Sequence, residues 1–270
     1  MANEDVTLFT EVDRTGDPGF FIQFLDQGNA NPDIQKSKPI ILDGLHLREG
    51  LSVLDVGCGT GADVIDIAQR VGSSGSVIGV DISEAMIAEA QRRSAGLGLP
   101  VTFEVGNAME LRFNSGTFDG CRTERMLMHV PDASRAFSEM VRVTKRSGRI
   151  SVFDFDWDTF IVDSPHRETT RRIVSSFSDS MRSGWIGRQL RRMFLDKGMI
   201  EVAVVPHQIF IGFEFLGLLI GGHLTRAQRA GTLKDIELKR WWDDLRDADA
   251  SGRFLAGFTA FIVSGTKAEA

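Results

Sequence analysis

The stretch VLDVGCGTG, residues 53–61, is an apolar run that breaks into glycines at 57, 59 and 61, with Asp55 two positions ahead of the first. A buried strand that turns through glycines into a helix lets backbone come close to a ligand, and its amides can meet a polar or anionic group. Three alternate glycines are a costly choice for a turn with no ligand, because each gives up conformational freedom on folding. Gly57, Gly59 and Ala62 also satisfy the G-x-G-x-x-G/A pattern of dinucleotide sites. The loop alone therefore leaves two cofactor classes open.

Outward from the loop, strand-like and helix-like segments alternate over about residues 51–155. LSVLDVG, SVIGVDI, VTFEVGN, FDGCRTE and RISVFDF read as buried strands. Between them ADVIDIAQRV, SEAMIAEAQRRSA and ASRAFSEMVRVTKR carry apolar residues at three- and four-residue spacing. Repeated βα units imply an open parallel sheet with helices on both faces, whose ligands bind beyond the carboxyl ends of the strands. The first fifty residues read as helix, turn, helix. After MIEVAVVP (199–206) a helical stretch is interposed before a last strand in RFLAGFTAFIVSGT. The expected organisation is one domain over 1–270, with an N-terminal helical cap (1–45), a cofactor-binding core (46–206), a helical insertion over the acceptor pocket (207–252) and a final strand (253–267).

A chain of 270 residues, 42% hydrophobic and 25% charged, can bury a full core. Its formal charge of -6 argues against a surface built to grip phosphate backbones. The longest apolar stretch, IFIGFEFLGLLIGG (209–222), is too short and interrupted to span a bilayer, and MANEDVTLF lacks the basic-then-apolar pattern of an export signal. Cys58 and Cys121 are too few for a disulfide framework, and no cluster has zinc-ligand spacing. These features point to a cytoplasmic protein with no membrane partner and argue against a nucleic-acid partner; a homodimer is compatible with them. Tyrosine is absent, so the chain has no phenolic acid or base.

Context separates the cofactor classes. A carboxylate at Asp55, at the end of a strand, attracts a cationic ligand and repels a pyrophosphate. Asp81 ends the second strand, VIGVD, where a carboxylate can take both hydroxyls of a ribose in either class. With GNAMEL and FDGCRTERMLMHVPD following in order, the chain resembles the class I S-adenosylmethionine-dependent methyltransferases, in particular the small-molecule subgroup that includes quinone and natural-product enzymes. VLDVGCGTG corresponds to the family's first motif, VIGVDIS to its second, and the other two segments to its third and fourth.

That resemblance implies a Rossmann-like α/β fold: a seven-stranded, mostly parallel sheet with helices on both faces, an antiparallel last strand and a helical lid insertion. It implies S-adenosyl-L-methionine as methyl donor, with S-adenosyl-L-homocysteine as product. Asp55, Gly57, Cys58, Gly59 and Gly61 would line the methionine portion, and Asp81 would bind the ribose with Ile82 and Met86 beside the rings. Asn107 and Ala108 would meet the adenine, and the backbone around Arg122 and Thr123 would lie near the methionine tail. Many relatives carry aspartate where this chain has Asn107, but an amide oxygen can still accept from the adenine amino group.

Methyl transfer from a sulfonium is an in-line displacement in which alignment supplies much of the acceleration, and a general base is needed only by some acceptors. His129, after the fourth strand, is the first candidate base; packing at a helix start is its structural alternative. Glu124 and His223 are further candidates, and pairing with neighbours or helix capping are theirs. In FDFDWD the alternating Asp154, Asp156 and Asp158 would point to one side of an extended segment. Arg122 and Arg125 stand where a matching carboxylate would be required for a metal, so no metal is expected. The acids read instead as solvated groups at a strand end or as bonds to the acceptor. Phe20, Phe21, Phe24, Trp157, Phe210, Phe213, Phe215, Leu216 and Leu219 could roof a pocket for an apolar or aromatic acceptor. Two alternatives stand beside this reading: an NAD(P)-dependent oxidoreductase, for which no Tyr/Lys hydride-transfer pair is present, and a cofactor-binding protein without turnover.

Overall fold

The computed structural model describes residues 4–269; residues 1–3 of the expected cap and residue 270 lie outside the described residues. Seven strands form one sheet: β1 (Ser52–Val56), β2 (Ser76–Asp81), β3 (Val101–Val105), β4 (Phe118–Glu124), β5 (Thr144–Val162), β6 (Met199–Ile211) and β7 (Ala256–Lys267). Their spatial order is β3-β2-β1-β4-β5-β7-β6. The pairs from β3 through β5 are parallel, whereas β7 runs antiparallel to both β5 and β6. The order reverses between β1 and β4, which opens a crevice at their carboxyl ends where ligands of such sheets bind.

Alternation along the strands explains why both faces are covered. Val53 and Val77 turn to one face and pack with Val64 and Ile67 of α3 (Ala62–Val71), beside α4 (Glu84–Ser94). Leu54, Val56, Val80 and Cys121 turn to the other and join Phe137 and Met140 of α5 (Ala133–Val143). Phe137 is fully buried, its ring centroid 4.6 Å from that of Phe194. Truncating such a side chain to alanine costs about 3–5 kcal/mol.

A 3-10 segment (Val6–Arg14), α1 (Pro18–Ala30) and α2 (Pro32–Asp43) precede the sheet. Asp17 and Asn31 cap the two helices, each with a proline in the first turn, where a missing N–H costs nothing. Between β5 and β6 lie α6 (Arg167–Ser180) and α7 (Ile186–Asp196), and between β6 and β7 lie α8 (Phe213–Arg229) and α9 (Asp235–Ala250). β6 continues to Ile211 because Ala256 of β7 pairs with it there, so helix begins at Phe213 rather than at 207. Trp241 is fully buried and donates to Thr170 Oγ1 at 2.9 Å, while Trp242 sits edge-on to Phe213. Among the described residues no helix is long and apolar enough to cross a membrane.

The FDFDWD segment departs from expectation. β5 lies between β4 and β7, so two of its acids are not solvated: Asp154 and Asp156 are buried, whereas Asp158 is exposed as a solvated acid would be. Asp154 accepts backbone N–H bonds from Phe155 (3.0 Å) and Met128 (3.3 Å), and Asp156 is gripped by the Arg188 guanidinium. Burial pushes the Asp154 carboxyl up to about 7.

Candidate active site

The loop after β1 is shaped by its glycines. Gly57, Gly59 and Gly61 all have positive φ (75°, 51° and 79°), a region that costs any side chain strain. A Cβ on Gly57 would sit 2.5 Å from Met126 Cγ. Gly61 serves packing rather than the cavity: a Cβ there would meet Phe103 at 2.8 Å and Ala90 at 2.9 Å. The second strand's acid organises the loop, since Asp81 accepts from Gly59 N (2.9 Å) through one oxygen and from Ser83 N (3.0 Å) through the other. Burial raises the Asp81 carboxyl, against the pull of these amides.

Below the loop is a buried charge cluster. Arg122 is 1% exposed and reaches Asp55 (3.1 Å), Asp63 (3.0 Å) and Glu124 (2.6 Å). Lys38 of α2 bridges Asp63 (2.9 Å) and Glu124 (2.7 Å) from the other side. Burial opposes ionisation of Asp63, but Arg122 and Lys38 together hold its carboxyl well below the usual range. Asp55 fares differently. Burial, with the neighbouring Asp63 and Glu124, outweighs Arg122 and pushes it up to about 7, and its Oδ1 is buried with no hydrogen-bond partner.

A cavity of about 520 Å³ runs from this loop to an aromatic roof, within the range of small-molecule sites. Asp55, Gly57, Cys58, Gly59, Asp81, Ile82, Met86, Asn107 and Ala108 line one part of it. Asn107 folds its Oδ1 back onto Met109 N at 2.9 Å. Phe24, Phe155, Trp157, Phe215, Leu219 and Phe258 line the apolar part, with Phe24 stacked on Phe215 at 5.3 Å. Other expected roof residues lie elsewhere: Phe21 and Leu216 are core, Phe213 packs on Trp242 and Phe254, and Phe210 is exposed.

The remaining expected residues separate. Arg122 enters as a side chain, not only as backbone, whereas Thr123 faces inward and donates to Val56 O at 2.6 Å. His129 lines the cavity with its ring 5.1 Å from Phe9, and burial, with the Arg125 charge second, pushes it down to about 3. It is therefore neutral at working pH. Glu124 lines the cavity but is held by Arg122, Lys38 and Arg125. His223 is absent from the cavity lining and turns to α6, with Ser176 at 3.0 Å and Arg226 at 3.3 Å, so burial there depresses a histidine that does not reach the acceptor space.

Several lining groups were not foreseen. Phe9, Asp13 and Arg14 come from the 3-10 segment, and Asp13 latches it by accepting from Ser83 Oγ (2.7 Å), Glu84 N (2.8 Å) and Ala85 N (3.1 Å) at the start of α4. Asp63 and Lys38 complete the charge cluster. The pairing of Asp55 with Arg122 in the β1–β4 register is the one signal that strand order alone would have supplied.

The donor set fits S-adenosylmethionine. The orphaned Asp55 Oδ1 lacks the kind of donor an amino-acid ammonium provides, and Asp81 keeps lone pairs on both oxygens for hydroxyls. The chain matches the family model described as a methyltransferase domain over residues 47–198, more than half its length. It is 36% identical over 246 residues to an uncharacterized 37.1 kDa protein in transposon TN4556 of Streptomyces fradiae, covering 90% of this chain and 70% of that one. It is 33% identical over 178 residues to a demethylmenaquinone methyltransferase of Symbiobacterium thermophilum, covering 58% of this chain and 71% of that one. Among solved structures, a putative methyltransferase from Bacillus halodurans superposes with a TM-score of 0.63 at 16% identity, over 86% of this chain and 99% of that one, a likeness of fold.

Proposed function

Because the chain belongs to the methyltransferase-domain family and is an S-adenosylmethionine-dependent enzyme, we propose that it methylates O, N or C of a small, flat, apolar acceptor of the quinone type. The observation that carries this reading is one cavity that joins the glycine loop to the aromatic roof. The name of the Symbiobacterium relative supports a quinone-like ring.

In this reading Asp55, with the turn of Gly57, Cys58 and Gly59, holds the methionine end of the cofactor. Asp81 takes the ribose hydroxyls, Ile82 and Met86 flank the rings, and Asn107 and Ala108 meet the adenine. When bound, the cofactor supplies a methyl carbon on a positively charged sulfur, an electrophile with its leaving group already in place. The chain then has to orient the acceptor and exclude water. Phe24, Phe215 and Trp157 provide flat apolar walls for a ring, and the latched 3-10 segment carries Phe9 over it. His129 is too weakly basic to take a proton with much driving force, and it serves as a neutral hydrogen-bonding group beside the acceptor. Alignment therefore carries the rate.

The test is to incubate the protein with methyl-labelled S-adenosylmethionine and a panel of hydroquinones, phenols, aromatic amines and hydrophilic amines, then locate the label by mass spectrometry. Transfer to a ring-bearing acceptor is expected. Transfer confined to the hydrophilic amines would overturn the proposal.

A further inference from the structure

Arg125 is a cation of this cavity with a donor to spare; Arg122 Nε is unpaired as well, but the other nitrogens of Arg122 are committed to Asp55, Asp63 and Glu124. Arg125 follows β4 in the left-handed region, at φ 54°, where non-glycine residues are uncommon. Its own N–H is anchored to Phe153 O at 2.8 Å, so the strain is held by the sheet. The side chain is 12% exposed and lines the cavity. Nη2 is held by Asn29 Oδ1 and lies 3.1 Å from Glu124 Oε1, but Nε is buried with no partner. A buried donor left unpaired is expensive and calls for an acceptor.

Its surroundings make room for one. A Cβ on Gly28 would stand 3.2 Å from Arg125 Nη1 and 3.7 Å from Phe215 Cζ, so the bare glycine lets the guanidinium lie beside the aromatic roof. Nearby anions meet it only in part: Glu124 Oε1 takes Nη2, and the buried Asp154 feels its charge but accepts from the Phe155 and Met128 amides. Glu124 is shared with Arg122 and Lys38, and Asp55 and Asp63 are turned to Arg122. His129, also near Arg125, is neutral and brings no negative charge.

We propose that Arg125 anchors an ionised oxygen carried on the acceptor ring, a phenolate, enolate or carboxylate, so that the enzyme selects apolar acceptors bearing one such group. The inference rests on the acceptor chamber described under the proposed function and assigns its polar end. A planar guanidinium suits such an oxygen better than a point charge, because it offers several donors in a fixed plane.

Isothermal titration tests this with the full chain, first with S-adenosylhomocysteine and then, at saturation, with 2-naphthoate and its neutral counterpart 2-naphthamide. The wild type is expected to bind the naphthoate about tenfold or more tighter than the amide. Arg125→Gln should erase that preference and leave homocysteine-product affinity within about threefold, and Arg125→Lys should keep part of the preference. Gly28→Ala crowds Nη1 from a helix that tolerates alanine, so it should lower the preference even if Arg125→Gln folds poorly. 2-Naphthol titrated across its ionisation separates sources: tightening with rising pH in wild type alone assigns a phenolate, and its absence beside a naphthoate preference assigns a carboxylate. A wild type with no preference for either ionised ring, or an Arg125→Gln variant that loses S-adenosylhomocysteine while keeping the naphthoate, overturns the proposal. Failure of folded wild type to bind S-adenosylhomocysteine would instead sink the functional reading beneath it.

Discussion

Replacing Asp55 by asparagine should weaken cofactor binding without weakening the fold. The carboxylate has one oxygen 3.1 Å from Arg122 Nη1 and the other buried with no partner. In the mutant Arg122 keeps Asp63 and Glu124, so no cation is stranded. A charge-assisted bond to an ammonium is worth about 1.5–3 kcal/mol, or roughly 10- to 150-fold in affinity. Stability moves the other way. Burial raises the Asp55 carboxyl from 3.8 to about 7, so the folded protein holds its proton more tightly than the unfolded chain. Its contribution is greatest below pH 4 and is lost as pH rises through 7, a loss of about 4 kcal/mol by pH 8. Asparagine avoids that loss and gives up the Arg122 pairing, so its melting temperature at pH 8 should equal or exceed that of wild type. At pH 5.5 the wild-type carboxyl must first ionise to meet the ammonium, which removes about 30-fold of its advantage. Titration with S-adenosylhomocysteine at pH 8 and 5.5, with melting curves at both, reads out every arm. Equal affinities at pH 8, or an affinity gap undiminished at pH 5.5, would rule out this role for the Asp55 carboxylate.

Gly57→Ala forces a side chain to φ 75° and a Cβ to 2.5 Å from Met126 Cγ, so chemical denaturation should show a loss of about 1–3 kcal/mol, partly recovered by adding Met126→Ala. His129→Phe should leave the pH–rate profile without a lost inflection between pH 5 and 8, because burial already keeps the ring neutral there; disappearance of a limb near 6.5 would restore histidine as a base. Leu219→Trp, placed in the apolar part of the cavity, should raise the KM of a ring-bearing acceptor at least about tenfold while titration finds S-adenosylhomocysteine affinity unchanged.

The sheet and the glycine loop on its cavity were legible because their signals are local: an apolar run, glycines where backbone must turn left-handed, and acids at strand ends. Asp55 and Asp81 stand at the carboxyl ends of β1 and β2, and the order of the motifs carried their company. What the sequence hid depends on distant chain segments. Lys38 meets Glu124 from 86 residues away, and the 3-10 segment that carries Phe9 and Asp13 docks onto the start of α4 through Ser83, 70 residues on from Asp13. Asp154 and Asp156 of FDFDWD looked solvated because alternation suggests a half-exposed strand, yet there β5 is flanked by two strands and covered on both faces; only Asp158 is exposed. His223 illustrates the limit for helices: α8 roofs the cavity through Phe215 and Leu219, but the packing of α6 decides that the histidine turns the other way.

A crystal structure of the protein with S-adenosylhomocysteine tests the proposed cofactor site most directly. The ammonium is expected within hydrogen-bond reach of Asp55 Oδ1, the ribose hydroxyls on Asp81, and the sulfur facing the chamber walled by Phe24, Phe215 and Trp157. A product bound with its ribose away from Asp81, or its sulfur facing away from that chamber, would contradict that site.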